Sequence, residues 1–493
     1  MLETVPWLWF EWLVIGLYSF FLLFIFLYSL AQLDLVMRYR RRIGQQSLAL
    51  GLDRPLVTVQ LPIYNERYVA ARLIDQVVVL DYPGDRLEIQ VLDDSTDGTR
   101  EIIEERVAHW SAKGVDVVHV RRSSREGFKA GALAHGLQLA KGELVAIFDA
   151  DFLPDADFLL ETVRHFQDPQ VGVVQTRWGH LNADYSPLTA MQAFGLNAHF
   201  TVEQGGRNAG DCFINFNGTA GVWRKAAIVD AGGWSSDTLT EDLDLSYRAQ
   251  LKGWKFVFRE DVEASAELPA EMNALKTQQY RWTKGAAECA IKNLPAVLRS
   301  DRVTMRVKVH AFFHLMNSFI FISVFASAAL SIPLMFVKQR HALDSFLLMG
   351  GMVFVASLFL LMAFYWTSVR RFEYSPSVGG FLIRFFSFLS LSMGMSLHNA
   401  VAVFEGYAGR RTPFVRTPKF SIVEREGSWI GSGYRARRVS KLVWGEVLLS
   451  SVFFWAAWKG VSIGDVGLLP FHLLLAVGFL AVGGLSLKHA FQG

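Results

Sequence analysis

Leu144-Val145-Ala146-Ile147-Phe148-Asp149-Ala150-Asp151 decides how this chain is read. A short apolar run bounded by acid reads as a buried strand. The acids that end it are the functional signal. The same pattern stands upstream, where Gln90-Val91-Leu92 runs into Asp93-Asp94-Ser95-Thr96-Asp97. Working outward, strands are expected at Leu56–Leu61, Glu88–Leu92, Val117–Val120, Leu144–Phe148, Val171–Gln175 and Lys255–Phe258. Helical patterns lie between them at Arg67–Val79, Thr99–Lys113, Gly127–Ala140 and Ala156–Phe166. This alternation predicts an α/β domain with a mostly parallel sheet, which binds ligands beyond the carboxyl ends of its strands. No Gly-x-Gly-x-x-Gly and no Gly-x-x-x-x-Gly-Lys-Ser/Thr follows a strand, which disfavours dinucleotide and P-loop chemistry.

Composition places this domain beside a membrane. Hydrophobic residues make up 52% of the 493 and charged residues 19%, the reverse of a disordered or nucleic-acid-binding chain. Two cysteines make no disulfide framework. Trp12–Leu33 is 22 residues without a charge, enough to cross a bilayer. Glu3 and Glu11 precede it; Arg38, Arg40, Arg41 and Arg42 follow it. That order predicts a retained anchor with its N-terminus outside, not a cleaved signal peptide. Further crossings are expected at Val309–Val337, Ser345–Val369, Leu442–Trp458 and Val466–Leu487. Gly379–Phe404 is apolar but carries Arg384, His398 and Asn399. The stretch after it, Arg410–Lys441, holds nine Lys and Arg against two Glu. A basic loop belongs in the cytoplasm, so Gly379–Phe404 is read as an amphipathic helix in the interface. The organisation expected is an anchor at 1–42, a cytosolic domain at 43–306, a helix pair at 307–370, the interfacial helix and basic loop at 371–442, and a final pair at 443–493.

Each acidic block has a bland reading. Asp and Ser after a strand are ordinary turn and cap residues. Two such clusters on one sheet rim repel each other unless a cation lies among them, and hard ions such as Mg²⁺ or Mn²⁺ take carboxylate oxygens and share them with a diphosphate. In Thr240-Glu241-Asp242-Leu243-Asp244, Thr as cap and acids at the positive helix end would suffice. Gln278-Gln279-Tyr280-Arg281-Trp282, taken alone, reads as a surface helix with Trp282 in the core.

Together and in this order, the four blocks resemble family 2 glycosyltransferases of the cellulose-synthase and hyaluronan-synthase type. The nearest resemblance is to plant cellulose-synthase-like enzymes that make β-mannan and glucomannan. Gln60-Leu61-Pro62-Ile63-Tyr64-Asn65-Glu66, Lys129-Ala130-Gly131-Ala132-Leu133, His199-Phe200-Thr201-Val202-Glu203-Gln204 and Phe216-Asn217-Gly218-Thr219-Ala220-Gly221 extend it, although Thr240 stands where those enzymes tend to carry Val. The resemblance implies a GT-A α/β glycosyltransferase domain, a Rossmann-like mixed sheet, plus an α-helical transmembrane region. It implies that Asp93 and Asp94 contact the nucleoside, that Lys129, Asp149, Gln278 and Arg281 hold the nucleotide sugar, and that Asp149 and Asp151 bind Mg²⁺ or Mn²⁺. Asp242 would be the general base. Trp282, Asn217, Gly218, Thr219 and Glu241 would meet the acceptor. Phe414-Val415-Arg416-Thr417-Pro418-Lys419 resembles a gating loop whose Thr417 and Lys419 close over the nucleotide, with Arg416 interrupting and Pro418 altering the pattern. A basic loop drawn to anionic lipid is the plain alternative.

The activity implied is inverting transfer of a hexose from GDP-mannose or UDP-glucose to a growing β-linked polysaccharide, processive and coupled to export. The partners implied are the nucleotide-sugar donor, the polysaccharide acceptor and the lipid membrane, with accessory subunits open and no nucleic acid. The expected location is the plasma (inner) membrane, with the catalytic domain cytosolic. One competing class is a non-processive enzyme acting on a lipid, as ceramide glucosyltransferases do. Another is a transporter or scaffold, which would need neither the Asp-x-Asp nor the base.

Overall fold

The strands are β1 (Val57–Ile63), β2 (Leu87–Asp93), β3 (Val117–Arg121), β4 (Leu144–Ile147), β5 (Leu153–Pro154), β6 (Val171–His180), β7 (Gly221–Arg224) and β8 (Lys255–Ala266). In this computed structural model they form one sheet in the order β3-β2-β1-β4-β7-β6-β8-β5. The model describes residues 7–42, 54–341, 344–430, 433 and 440–492, with only the backbone described at Arg42 and 344–349. Arg435, Arg437 and Arg438 of the basic loop lie outside the described residues.

β4 shows why the deciding stretch is apolar without interruption. Leu144, Ala146 and Phe148 enter one core, with Val59, Leu73 and Phe158. Val145 and Ile147 enter the opposite core, with Leu133, Trp223 and Leu245. Helices cover both faces, so no position along the strand is wet.

The sheet is mixed, as the resemblance implies, with four of its seven pairings parallel. β1 pairs in parallel with β2 and β4, β2 with β3, and β6 with β8. β7 runs antiparallel to both β4 and β6, and β5 antiparallel to β8. The sequence pattern misses β7 and β5 because they are four and two residues long. β6 and β8 run past Gln175 and Phe258, with register shifts near Val171 and Thr176. The reversal at β7 matters most. It brings the turn before β7, Asn217-Gly218-Thr219-Ala220, to the rim where β4 ends.

The helices are α1 (Trp9–Arg42), α2 (Ala70–Val77), α3 (Thr99–Ser111), α4 (Phe128–Leu139), α5 (Phe158–Val163), α6 (Pro187–Ala198), α7 (Gly205–Ala209), α8 (Lys225–Asp230), α9 (Glu241–Leu251) and α10 (Met272–Arg299). A π-helical stretch, His199–Gln204, joins α6 to α7. α11 (Met305–Leu315), α12 (Phe319–His341), α13 (Asp344–Phe372), α14 (Val378–Gly394), α15 (Ser396–Tyr407), α16 (Leu442–Ser462) and α17 (Leu469–Phe491) follow. α6 starts where its sequence dictates: Ser186 accepts from the Thr189 amide, Thr189 returns the bond, and Pro187 presets the first turn.

Among the described residues, α1, α12, residues 350–372 of α13 and α17 are long and apolar enough to cross a membrane. Val309–Val337, expected as one crossing, breaks between α11 and α12. α16 carries Glu446 and falls short of that apolarity, yet it packs against α17, where Ser450 donates to the Ala476 carbonyl at 2.9 Å. Gly379–Phe404 is two helices, α14 and α15, bent by 50° at a break. The bend lies where Gly394 meets the Gly478 backbone of α17, a contact no Cβ would allow. Both ends of the pair return toward the α/β domain. Arg384 of α14 pairs with Glu373 just beyond α13, and α15 packs along α10, with His398 Nε2 3.0 Å from the Lys276 carbonyl.

Candidate active site

Three strands in parallel register, β2, β1 and β4, end on one rim, with Ile63 opposite Asp93 and Gln60 opposite Ile147. A pocket of about 200 Å³ opens over it. Its wall includes Asp94, Lys129, Asp149, Asp151, Glu241, Asp242, Gln278, Arg281 and Trp282, which the sequence reading singles out. Asn217, Gly218, Thr417 and Lys419 also line it.

Two expected residues stand behind the wall. Asp93 is buried at 2% exposure and takes its bonds from His119 Nε2 (2.9 Å) and the Ser95 amide (2.8 Å). Thr219 is fully buried, and its hydroxyl accepts the Asp149 amide at 2.9 Å. Thr219 therefore orients Asp149 from below. Asn217 lines the pocket, but its side-chain oxygen accepts from Gln204 Nε2 at 2.6 Å and its amide nitrogen meets His199 Nε2 at 3.1 Å.

The Asp-x-Asp carboxylates each hold an ammonium. Lys129 Nζ lies 2.5 Å from Asp149 Oδ1 and 2.9 Å from the Gly218 carbonyl. Lys419 Nζ lies 2.6 Å from Asp151 Oδ2 and 2.8 Å from the Glu267 carbonyl. Burial would lower both lysine pKa values, but the facing carboxylates raise them. The basic loop is latched here by more than charge. Glu267 takes the Phe420 and Ser421 amides at 2.9 and 2.8 Å, and Arg416 pairs with Glu66 at 3.1 Å. Burial pushes Glu66 up to about 8 against the pull of Arg416.

Asp242 sits in the first turn of α9. Thr240 does not cap that helix with its side chain; its hydroxyl lies 3.4 Å from Cys289 Sγ. The Asp242 carboxylate accepts the Leu243 amide and makes no ion pair among the described residues. Burial, and then the neighbouring Glu241, push it up to about 7, while Lys129 opposes. Gly218, at φ +80°, passes so close that a Cβ there would lie 3.0 Å from Asp242 Oδ2. Only glycine serves both that backbone angle and that approach. α10 packs on the start of α9 through Gly285, where a Cβ would strike Thr240. Gln278, Arg281 and Trp282 share that helix face and so meet the pocket. Arg281 donates to the Thr417 hydroxyl at 3.1 Å and lies 4.6 Å from the Phe414 ring.

Two further cavities adjoin the pocket, the first of them across Trp282. A second cavity, of about 220 Å³, shares Leu196, Gln278 and Trp282 with it. A third, of about 310 Å³ among α1, α12, α13 and α14, shares Gly195, Phe321, Tyr365, Phe388 and Ser392 with the second. His199, Glu203, Tyr28 and Gln32 line the third. Burial would raise the Glu203 carboxyl, yet His199 and Arg207 hold it well below the usual range.

Residues 54–285 match the family described as Glycosyltransferase like family 2. The chain is 36% identical over 447 residues to "Glucomannan 4-beta-mannosyltransferase 1" of Oryza sativa subsp. japonica, covering 87% of this chain and 82% of the rice protein. This chain belongs to glycosyltransferase family 2. It is also 42% identical over 264 residues to "Glucomannan 4-beta-mannosyltransferase 9" of Arabidopsis thaliana, about half of each chain. Among solved structures, the mannosyltransferase PcManGT of Pyrobaculum calidifontis, in complex with GDP-Man and Mn²⁺, superposes with a TM-score of 0.50 at 22% identity. It covers 73% of this chain and 98% of that one. The GT-A fold and the enzyme class expected from the sequence are thereby established for this glycosyltransferase.

Sequence reasoning gave no role in the site to Arg125, Trp178, Arg416 or Glu267, which also line the pocket. Trp178 and Glu267 sit at the ends of β6 and β8, beyond the strand lengths expected. Arg125 was legible as the last of three arginines at the end of β3, in Arg121-Arg122-Ser123-Ser124-Arg125.

Proposed function

We propose that this glycosyltransferase transfers mannose from GDP-mannose, with inversion, to a β-linked polysaccharide, and that the growing chain passes between its membrane helices. One observation carries the reading: the pocket containing Asp242 shares the Trp282 wall with a second cavity, which in turn shares a wall with a third bounded by α1, α12, α13 and α14. A lipid acceptor would use such cavities only to enter, and the glucomannan-acting relatives favour a polymer leaving through them. The mannosyltransferase relatives favour mannose over glucose as the unit transferred.

The roles follow from position. Asp242 takes the proton of the acceptor hydroxyl, on the side of the sugar opposite the diphosphate. A carboxyl near 7 suits that task, because it is ionised at working pH and still basic. Glu241 and Gly218 form the wall beside the attacking hydroxyl. Trp282 offers an aromatic face to the acceptor, which stacks on either face of a sugar. Lys129, Arg281 and Lys419 face the leaving diphosphate, and Asp94 the nucleoside.

Asp149 and Asp151 fit a divalent cation. Both are hard oxygen donors on the pocket wall, and each already draws an ammonium. Among the described residues no third His, Cys, Asp or Glu joins them, which suits an ion completed by diphosphate and water. Bound there, Mg²⁺ or Mn²⁺ would offset the charge of the departing diphosphate.

In this reading α1, α12, α13, α16 and α17 cross the membrane, and the α14–α15 pair enters and leaves on the cytosolic side with the catalytic domain. The test uses the full chain in proteoliposomes, with radiolabelled GDP-mannose and UDP-glucose supplied separately and the product sized. Long β-linked mannose-containing chains support the proposal. A product one sugar long on lipid, or incorporation from UDP-glucose alone, overturns it.

A further inference from the structure

We propose that Arg125 reads the base of the donor nucleotide and makes the site selective for guanine over uracil. The proposal rests on the GDP-sugar reading above. Three arginines stand at and just after the end of β3, and two are spent on protein carboxylates. Arg121 pairs with Asp93 at 3.8 Å, and Arg122 grips Asp94 through Nε (2.8 Å) and Nη2 (2.5 Å). Arg125 is the exception. Its guanidinium carbon lies 3.4 Å from the Tyr64 ring centre and 4.9 Å from that of Phe128. It donates no hydrogen bond among the described residues, and its Nε is buried without a partner.

Arg125 as a whole is half-buried, and its terminal N–H groups, without a protein acceptor among the described residues, are open to a ligand that supplies one. Here two aromatic rings hold the guanidinium, so its orientation is fixed without using its N–H groups. It lines the pocket three residues beyond Arg122, the residue that grips Asp94 at the end of β2. Lys129 and Lys419 stand instead at the carboxylates that follow β4. The free N–H fork therefore faces the nucleoside side. Guanine presents O6 and N7 together, the pair a guanidinium fork matches. Its N1 and N2 hydrogens are donors suited to a carboxylate, and the Asp94 oxygens bound by Arg122 each keep a lone pair. Uracil has no second acceptor beside O4 and cannot fill the fork.

The experiment measures equilibrium binding of GDP, UDP and 7-deaza-GDP, with Mn²⁺, to the full chain in nanodiscs by calorimetry. Arg125→Lys keeps the charge and removes the fork; Arg125→Met removes both. In the wild type, GDP should bind more tightly than UDP, and loss of N7 should weaken it. In both variants GDP should weaken roughly ten- to hundredfold, the range of one bidentate base contact. UDP should change by less than about threefold, and N7 should cease to matter. Retained UDP binding also reports that the pocket is folded. Equal weakening of GDP and UDP would make Arg125 a diphosphate contact and overturn the proposal. Wild-type preference for GDP that survives in Arg125→Lys also overturns it and leaves the donor reading intact. Wild-type preference for UDP overturns the donor reading itself.

Discussion

Lys419 lies 2.6 Å from Asp151, although they stand 268 positions apart in the chain with eight helices longer than ten residues between them. The ammonium occupies the carboxylate that a divalent cation would use. Mn²⁺ should therefore bind the nucleotide-free Lys419→Met variant more tightly than the wild type, by about tenfold or more for one neighbouring charge in a partly screened site. Electron paramagnetic resonance of free Mn²⁺ reads this directly. Asp151→Ala should lose Mn²⁺ binding and donor transfer together, and excess EDTA should mimic it. Full transfer in EDTA would remove the metal from the mechanism.

Asp242→Asn should abolish transfer and spare donor binding. A base acts in the transition state and contributes little to holding the ground state. The expected loss is roughly a hundredfold or more in kcat, with GDP affinity within about threefold of wild type. Near-normal turnover would reduce Asp242 to an acid at a helix start.

The pH profile should follow the same carboxyl. Because Asp242 is raised to about 7, kcat/KM should fall as pH drops below 7 and level off above it. Stability should move the other way. The ionised form is the disfavoured one in the folded protein, so its penalty is fully present above 7 and fades as pH falls toward the unfolded value of about 4. Asp242→Asn should thus raise Tm at pH 8 and do so less at pH 5. A profile flat from pH 5 to 8 would contradict both.

Trp282→Ala should shorten or abolish polymer while donor binding and Tm persist. Trp282 is half-buried and lines two cavities, and its ring centre is 6.3 Å from that of Trp178. A core tryptophan would instead cost about 3–5 kcal/mol of stability when truncated. Loss of Tm and donor binding together would mark packing.

Lys276 and Glu446 form an ion pair at 2.6 Å between α10 and α16, with side-chain exposures of 5% and 0%. Removing either partner leaves a buried charge, so Lys276→Met or Glu446→Leu alone should destabilise by about 3–5 kcal/mol. The double variant should recover most of that. Detergent-solubilised Tm values for the four proteins complete the cycle, and additivity would deny the coupling.

The rim chemistry was legible because strands β2 and β4 announce themselves and end in acid. The α/β class followed from their spacing. The mixed pairing was read only by resemblance, since β7 is four residues long and its reversal depends on the turn at Gly218 and Ala220, both at positive φ. Nor could sequence show that Thr219 and Asp93 serve from behind the wall, because both faces of these strands are buried and alternation carries no signal. The docking of the basic loop was read only by resemblance. Its anchor, two amides on the Glu267 carboxylate, joins positions more than 150 residues apart. Gly379–Phe404 read as one helix because the bend at Gly394 is set by its neighbour, Gly478, on another helix.

α10 has a practical consequence for anyone who would simplify this enzyme. Within nine residues it holds Glu446 in the membrane bundle through Lys276, presents Arg281 and Trp282 to the pocket, and anchors Arg410 and Thr412 at the root of the basic loop through Lys284. The family-matching stretch ends at residue 285, yet Arg416, Thr417 and Lys419 complete the pocket from far beyond it. Excising the α/β domain would strand a buried lysine, bare the α10 face that α15 covers, and leave the diphosphate side of the pocket short of cationic groups. Crystallisation or screening efforts should keep the whole chain in a lipid mimic, because the apolar helix bundle and the loop it carries are structurally part of the pocket.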